Sequence, residues 1–169
     1  MRDGQKISPA IDRHDYVRTP IGVLLLAGCG RYLRLIGFPK GSHRRTPLAH
    51  WHQDERAFVE AKAQLLEYFN GQRKGFDLPI RADGTEFQRQ AWTALQDIPY
   101  GQTRTYGQQA AAMGNPKACR AVGGANHANP IPIIIPCHRV IGAGGALTGF
   151  GGGLAVKDYL LRLEGAIPT

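Results

Sequence analysis

The chain has 169 residues, enough for one sizeable domain or for two small domains that share a core. Lysine and arginine outnumber aspartate and glutamate by 21 to 13, which gives a net charge of +8, while a hydrophobic content of 43% excludes a disordered or low-complexity chain. The longest apolar stretch, residues 131–136, is too short to cross a membrane.

The N-terminal part of the sequence predicts strands. Residues 1–15 are polar and are predicted to be loose, and they lack the apolar segment of a signal peptide. A turn at residues 19–22 precedes a predicted strand at 23–29, and a second strand follows at 32–38. The pattern is typical of a β-hairpin or meander.

A basic loop rich in proline and glycine follows at residues 39–50. Apolar residues then recur at spacings of three and four, which predicts a helix over 54–70. Residues 76–80 favour a short strand. We expect a domain boundary near residues 81–84, where a new element begins.

The next segment predicts three helices. Thr85 is suited to cap a helix that extends through Gln96, and Thr105 to cap a helix that ends near Met113. After a tight turn, Pro116 suits the first turn of a helix over 116–125. Two short helices joined by a glycine-containing turn are typical of a helix-turn-helix motif, but an ordinary helical hairpin gives the same pattern.

The C-terminal segment combines three patterns. Residues 129–141 are apolar, β-branched and punctuated by proline, which favours an extended buried segment. Seven glycines between 142 and 153 predict a loop that is mobile or closely approached by other groups. A final helix is predicted over 154–164, with Gly165 after its end.

Cysteine is the residue type of this sequence that most clearly indicates a chemical reaction. The three cysteines are odd in number and irregularly spaced, which argues against a disulfide framework and favours a reducing cytoplasm. Cys137 and His138 place a thiol beside a base, and Glu164 could orient that base. Neighbours on an extended segment point to opposite faces, so direct contact is not assured, and the spacing alone favours an inert buried cysteine.

Several stretches together resemble one family. The run PCHRVI at 136–141, within NPxPIxxPCHRVI, resembles the active-site signature of the O6-alkylguanine-DNA alkyltransferases. RAVGGA at 120–125 is similar to the recognition helix of the family, and IPYGQTRTYGQ at 98–108 to the segment that carries its tyrosine. GGLAVK with LLxxEG at 152–165 resembles the last helix. With the weaker N-terminal motifs TPIGVLLLAG and LLEYFNGQ, the resemblance covers residues 17–166.

The resemblance implies a role for each matching position. Cys137 matches the alkyl acceptor, and Asn129, His138 and Glu164 match the network that activates it, with a water between His138 and the thiol. Tyr106 matches the residue that crowds the target phosphate and assists the departure of guanine. The positions that match the substrate pocket are Pro132, Phe150 and Lys157, the last of which could instead hold a loop.

The DNA contacts follow from the same resemblance. Arg120 matches the arginine that fills the space of the flipped base. Ala121 and Gly123 lie beside it, and such small residues let a helix approach the DNA backbone closely. Because the reactive atom lies inside the duplex, the base has to rotate out. A net charge of +8 fits the sequence-independent part of DNA binding, although a solvated basic surface would give the same charge.

The implied fold is an α/β ribonuclease-like N-terminal domain at residues 1–82, followed by a mainly α winged helix-turn-helix domain at 83–169. The implied function is DNA repair, in which the alkyl group of O6-alkylguanine moves irreversibly to Cys137, with O4-alkylthymine as a second candidate substrate. A thioether is not hydrolysed at useful rates, so each molecule reacts once. The expected partner is double-stranded alkylated DNA, and we expect a cytoplasmic monomer, nucleoid-associated when bound, without cofactor, metal or membrane contact.

Some positions depart from the family pattern. Cys119 replaces a more usual alanine, and we expect it to be buried and inert, with an exposed second thiol near DNA as the alternative. Thr148 replaces glycine and could alter the tolerance of bulky alkyl groups. Some relatives hold zinc in the N-terminal domain, but the spacing of Cys29 to the histidines of residues 43–52 gives no clear ligand set.

Three other functions are alternatives to alkyl transfer. A non-enzymatic alkyltransferase-like protein lacks the acceptor cysteine, whereas Cys137 is present. A winged-helix transcription factor would need no cysteine-histidine pair and would show strong sequence preference. A cysteine hydrolase would turn over repeatedly on an ester or amide.

Overall fold

A four-stranded sheet forms the N-terminal half of the protein. A computed structural model describes residues 10–168. The strands are β1 (Arg13–Thr19), β2 (Gly22–Cys29), β3 (Tyr32–Gly37) and β4 (His52–Gln53), in the order β3-β2-β1-β4. β1, β2 and β3 form an antiparallel meander, and β4 pairs with β1 in parallel.

The predicted strands β2 and β3 and the turn between β1 and β2 are confirmed. The prediction that residues 1–15 are loose is wrong for residues 13–15, which belong to β1, while residues 1–9 lie outside the described part. Residues 76–80 do not form a strand, because Ile80 alone makes a bridge with Leu33. Pro79 lacks an N–H group, so only its carbonyl can join the sheet, through Leu33.

Helix α1 (Val59–Phe69) covers one face of the sheet through Leu65, Tyr68 and Phe69, which are all buried. It begins later than the predicted residue 54. Asp54 instead accepts the backbone N–H of Arg56 at 2.9 Å, and residues 55–58 form turns. The side-chain hydrogen bond therefore holds the chain in a turn where the apolar spacing predicted a helix.

The C-terminal half is mainly helical. It contains α2 (Glu86–Gln96), α3 (Tyr106–Ala112), α4 (Cys119–His127) and α5 (Leu154–Leu163), with a short parallel pair of strands, β5 (Arg104–Thr105) and β6 (Val140–Ile141). The predicted caps are confirmed: the side chains of Thr85 and Thr105 each accept a backbone N–H in a capping box with a glutamine three residues later.

Helix α4 starts at Cys119 rather than at the predicted Pro116. Asn115 accepts the backbone N–H of Ala118 at 3.0 Å, so residues 115–118 form a turn between α3 and α4. Pro116 therefore belongs to the turn and not to the helix.

Buried polar contacts hold α4 in place. Gln109 of α3 and Asn126 of α4 exchange two amide hydrogen bonds, of 2.9 and 2.7 Å. Trp92 of α2 donates its indole N–H to the carbonyl of Ala125 at 2.8 Å. Because these partners are buried and satisfied, they fix the direction in which the outer face of α4 points.

One hydrophobic core joins the two halves. Leu24, Leu26 and Tyr68 of the N-terminal half belong to the same buried cluster as Trp92 and Leu160 of the C-terminal half. Within residues 10–168, no helix is both long and apolar enough to cross a membrane.

Candidate active site

Cys137 lies at the base of a narrow pocket between the two halves. It begins a single 3-10 turn, Cys137–Arg139, and its side chain is only slightly accessible. The prediction that residues 129–141 are extended is therefore only partly correct, because the chain forms a helical turn at Cys137. The pocket is lined by residues from both halves: His43, Tyr106, Gly123, Asn126, His127, Cys137, Gly149, Phe150 and Gly151.

Asn129 shapes the bend that leads to the thiol. Its Oδ1 accepts the backbone N–H of Ile131 at 3.0 Å, and its Nδ2 donates to the carbonyl of Ile135 at 2.8 Å. Between them, Ile133 has a φ of 75°, which is unfavourable for a β-branched side chain. Asn129 thus ties the two ends of a strained bend together, directly before Cys137.

Glu164 is the centre of a buried network. Its Oε1 accepts hydrogen bonds from Tyr68 Oη at 2.7 Å and from Arg139 Nη2 at 2.9 Å, and it lies 2.7 Å from His138 Nε2. Its Oε2 accepts from Arg139 Nε at 2.9 Å. Arg139 therefore holds the carboxylate in bidentate fashion. The Nη1 group of Arg139 donates a hydrogen bond to the carbonyl of Ile98, which also satisfies this part of the guanidinium group.

The charges of this network determine the state of His138. Burial alone would raise the pKa of Glu164, but the hydrogen bonds from His138 and Arg139 lower it to about 2. The pKa of His138 is lowered by burial, against the opposing effect of Glu164. Because Arg139 already neutralises the carboxylate, the ring stays neutral near pH 7.

The tautomer of His138 follows from the same contacts. An ionised carboxylate can only accept, so the ring carries its hydrogen on Nε2. Nδ1 is then left with a lone pair. It is buried, and no atom of residues 10–168 bonds to it. The structure thus contains a neutral imidazole with an available base nitrogen, one residue from the thiol.

The Cys137 thiol needs such a base. Burial raises its pKa to about 11, although a hydrogen bond from Asn129 and the charge of Lys157 act in the opposite direction. The thiol is therefore protonated at neutral pH, and it becomes nucleophilic only when its proton is removed.

Lys157 is a buried amine that holds the loop beside the pocket. Its Nζ donates to the carbonyl of Val140 at 2.5 Å and to that of Thr148 at 2.8 Å. Burial lowers the pKa of Lys157 to about 8. Of the two roles considered for it, these contacts favour the loop-holding one.

The other predicted site residues surround the pocket or the outer face of α4. Tyr106 lines the pocket, and its hydroxyl lies 3.4 Å from the carbonyl of Thr148. Arg120 and Ala121 are exposed on α4, and Gly123 lies close to the Tyr106 ring. Phe150 forms a wall of the pocket. Pro132, predicted as a second wall, is buried in the bend and does not line this pocket.

The expectation that Cys119 is buried is wrong. It is exposed near the start of α4, where the helix presents its first turn to solvent. All three cysteines of the chain are free thiols in the part that the structure describes. Within the same residues, no group of three or more His, Cys, Asp or Glu side chains could hold a metal ion.

Several residues of the site were not predicted from the sequence, among them Arg139, Tyr68 and His43. Arg139 lies inside the PCHRVI motif, and a cation within an apolar run was the signal that could have identified it. Tyr68 occupies the apolar face of α1 and gave no comparable signal. His43 lines the pocket, but its place in the basic loop gave no signal of that position.

Comparison with known families gives two matches that cover most of the chain. Residues 13–82 match the ribonuclease-like domain of 6-O-methylguanine DNA methyltransferase, and residues 86–166 match its DNA-binding domain.

Individual relatives are similar over nearly the whole length. A methylated-DNA–protein-cysteine methyltransferase of Methanosarcina acetivorans is 53% identical over 88% of this chain and 95% of its own. One from Haemophilus influenzae is 45% identical over 89% of this chain and 85% of its own. Among solved structures, Mycobacterium tuberculosis OGT in complex with DNA superposes with a TM-score of 0.85, at 47% identity, covering 91% of this chain and 93% of the other.

Proposed function

Since the chain belongs to the 6-O-methylguanine DNA methyltransferase family, we propose that Cys137 accepts the alkyl group when the protein repairs O6-alkylguanine in DNA. The observation that carries this proposal is the position of Cys137 at the base of a pocket, next to the His138–Glu164 pair. Cys29 is buried in β2 and Cys119 is exposed on α4, and neither lines this pocket.

Activation starts from the neutral His138. Its Nδ1 lone pair takes the thiol proton through a water molecule, and the resulting imidazolium is stabilised by the negative charge of Glu164. Arg139 and Tyr68 hold that carboxylate in position. Asn129 supports the thiolate, because its hydrogen bond to Cys137 lowers the pKa of the thiol.

The reaction is an in-line displacement. The sulfur forms a bond to the alkyl carbon, the bond from that carbon to O6 breaks, and its electron pair leaves with guanine, which then takes up a proton. Tyr106 lies in the pocket wall and can donate a hydrogen bond to the departing base. Because the product is a thioether, the protein is consumed in one turnover.

DNA binding uses the outer face of α4. Arg120, exposed near the start of this helix, fills the gap that the flipped guanine leaves in the base stack. Because Ala121 has a small side chain and Gly123 has none, α4 can approach the DNA backbone closely. A net charge of +8 supports binding that is independent of sequence, as repair at any site requires.

We also propose a division into an N-terminal domain at residues 1–82 and a C-terminal domain at 83–169, supported by the two family matches. The chain acts as a monomer on double-stranded DNA and needs no cofactor, because the thiol supplies the chemistry. A reducing compartment such as the cytoplasm suits three free thiols.

Stoichiometry tests this function. When the protein is mixed with an excess of duplex DNA that contains O6-methylguanine, we expect each molecule to gain the mass of one methylene and repair to stop there. Intact mass spectrometry measures the gain, and the same duplex with unmodified guanine is the control. Continued repair beyond one lesion per protein would instead support an enzyme that turns over, such as a hydrolase.

A further inference from the structure

A loop of the N-terminal half closes one side of the active-site pocket. His43, in the basic loop after β3, donates its backbone N–H to the carbonyl of Gly151 at 2.9 Å and accepts one from Phe38. The Phe38 ring meets the Phe150 ring edge to face, with centroids 5.4 Å apart. These contacts connect the loop to the glycine-rich segment that borders the pocket.

The His43 side chain is buried in this contact. Its imidazole fills the space next to Gly151, where an added Cβ would overlap ring atoms of His43. On its other side it packs against the ring of His127, with centroids 4.7 Å apart. An aromatic ring of the N-terminal half thus occupies the volume that a side chain at position 151 would otherwise take.

The other residues that line the pocket show how the His43 ring affects the space beside Cys137. Gly123, Gly149 and Gly151 contribute backbone only, so the bulky groups of the pocket are few. They are Tyr106, Phe150, Asn126 and the two histidines His43 and His127, and Cys137 lies among them. A group that restricts the space beside the acceptor sulfur restricts the alkyl group that can reach it.

We propose that His43 is a specificity-determining residue, which limits the size of the alkyl group that can be transferred to Cys137. This inference rests on the proposed function. Burial lowers the pKa of His43, and the charges of His127 and Arg45 act in the same direction, so the ring is uncharged at neutral pH. An uncharged ring can contact an alkyl group without the cost of desolvating an ion.

The test compares two duplex substrates, one with O6-methylguanine and one with O6-butylguanine. The measured quantity is the ratio of the butyl transfer rate to the methyl transfer rate, which cancels general effects on folding and DNA binding. We expect His43→Ala to raise this ratio about tenfold, since a pocket discriminates about that much for each small increment of volume. If alanine prevents folding, His43→Asn removes part of the ring volume and should raise the ratio by a smaller factor than alanine would.

Two further variants separate the effect of side-chain bulk on the rate ratio from other effects of the substitution. His43→Phe keeps an aromatic ring and should leave the ratio at or below that of the wild type, whereas a rise equal to that of alanine would overturn the steric role. His50→Ala makes the same change at an exposed position of the same loop and should not alter the ratio.

The outcomes also separate this inference from the proposed function. If the wild-type protein does not methylate Cys137, the proposed function fails. If it does, and folded His43→Ala shows the wild-type ratio, only the role of His43 fails.

Discussion

Replacing Glu164 by glutamine is expected to slow alkyl transfer at least about hundredfold and to lower the free energy of unfolding by about 3–5 kcal/mol. The carboxylate accepts from Tyr68 and Arg139 and meets His138, all within the buried core. An amide has one accepting oxygen, so its NH₂ group must face a donor. The charge of Arg139 then stays buried without its partner, and His138 loses the group that fixes its tautomer.

The matched control lies on α5, the helix that ends directly before Glu164. Asp158→Asn makes the same carboxylate-to-amide change, but Asp158 is exposed and pairs with Arg162 at 2.7 Å. An exposed ion pair contributes little, so stability should change by less than about 1 kcal/mol. Chemical denaturation measures the unfolding free energy, and single-turnover kinetics measure transfer. A folded Glu164→Gln protein with the wild-type transfer rate would contradict the role of Glu164 in positioning His138.

Replacing Arg120 by alanine is expected to slow the repair of duplex DNA by about hundredfold, since extruding a base costs a few kcal/mol that the inserted side chain offsets. The reaction with free O6-benzylguanine needs no extrusion and should change far less. Arg120 is exposed on α4 and does not line the pocket, so its loss should not disturb the pocket. The two rates are measured on the same protein preparation.

Lys117→Ala is the control for charge. Lys117 is exposed in the turn before α4, so this variant also removes one cation near the same helix. We expect a few-fold loss at most, which salt concentration should modulate, because a phosphate contact acts by charge alone. Equal losses on duplex and free base in Arg120→Ala would rule out the space-filling role.

Much of the fold was predictable where local chemistry determines it. Thr85 and Thr105 cap their helices as residues of that type do, and Gly165 follows the last helix with a φ of 71°. β1 was missed because its sequence, RHDYVRT, is polar although the strand pairs with neighbours on both sides. Its position in the sheet depends on tertiary pairing, which leaves little trace in hydrophobic periodicity.

The candidate site was predictable only through the resemblance. The spacing of Cys137, His138 and Glu164 alone favoured an inert buried cysteine over a reactive one. The structure adds a 3-10 turn at Cys137, which makes the argument about alternating faces inapplicable, and it adds Arg139 to the network. The contact of His43 with Gly151 joins residues more than a hundred positions apart, a pairing that no local pattern indicates.

The acceptor residue itself is the central claim, and peptide mapping tests it most directly. The protein is treated with duplex DNA that contains O6-methylguanine, digested, and analysed by mass spectrometry. We expect the peptide with Cys137 to gain the mass of one methylene, Cys137→Ala to lose repair, and Cys29→Ala and Cys119→Ala to retain it. Methylation found on Cys119 or Cys29 instead, or repair that persists in Cys137→Ala, would contradict the assignment.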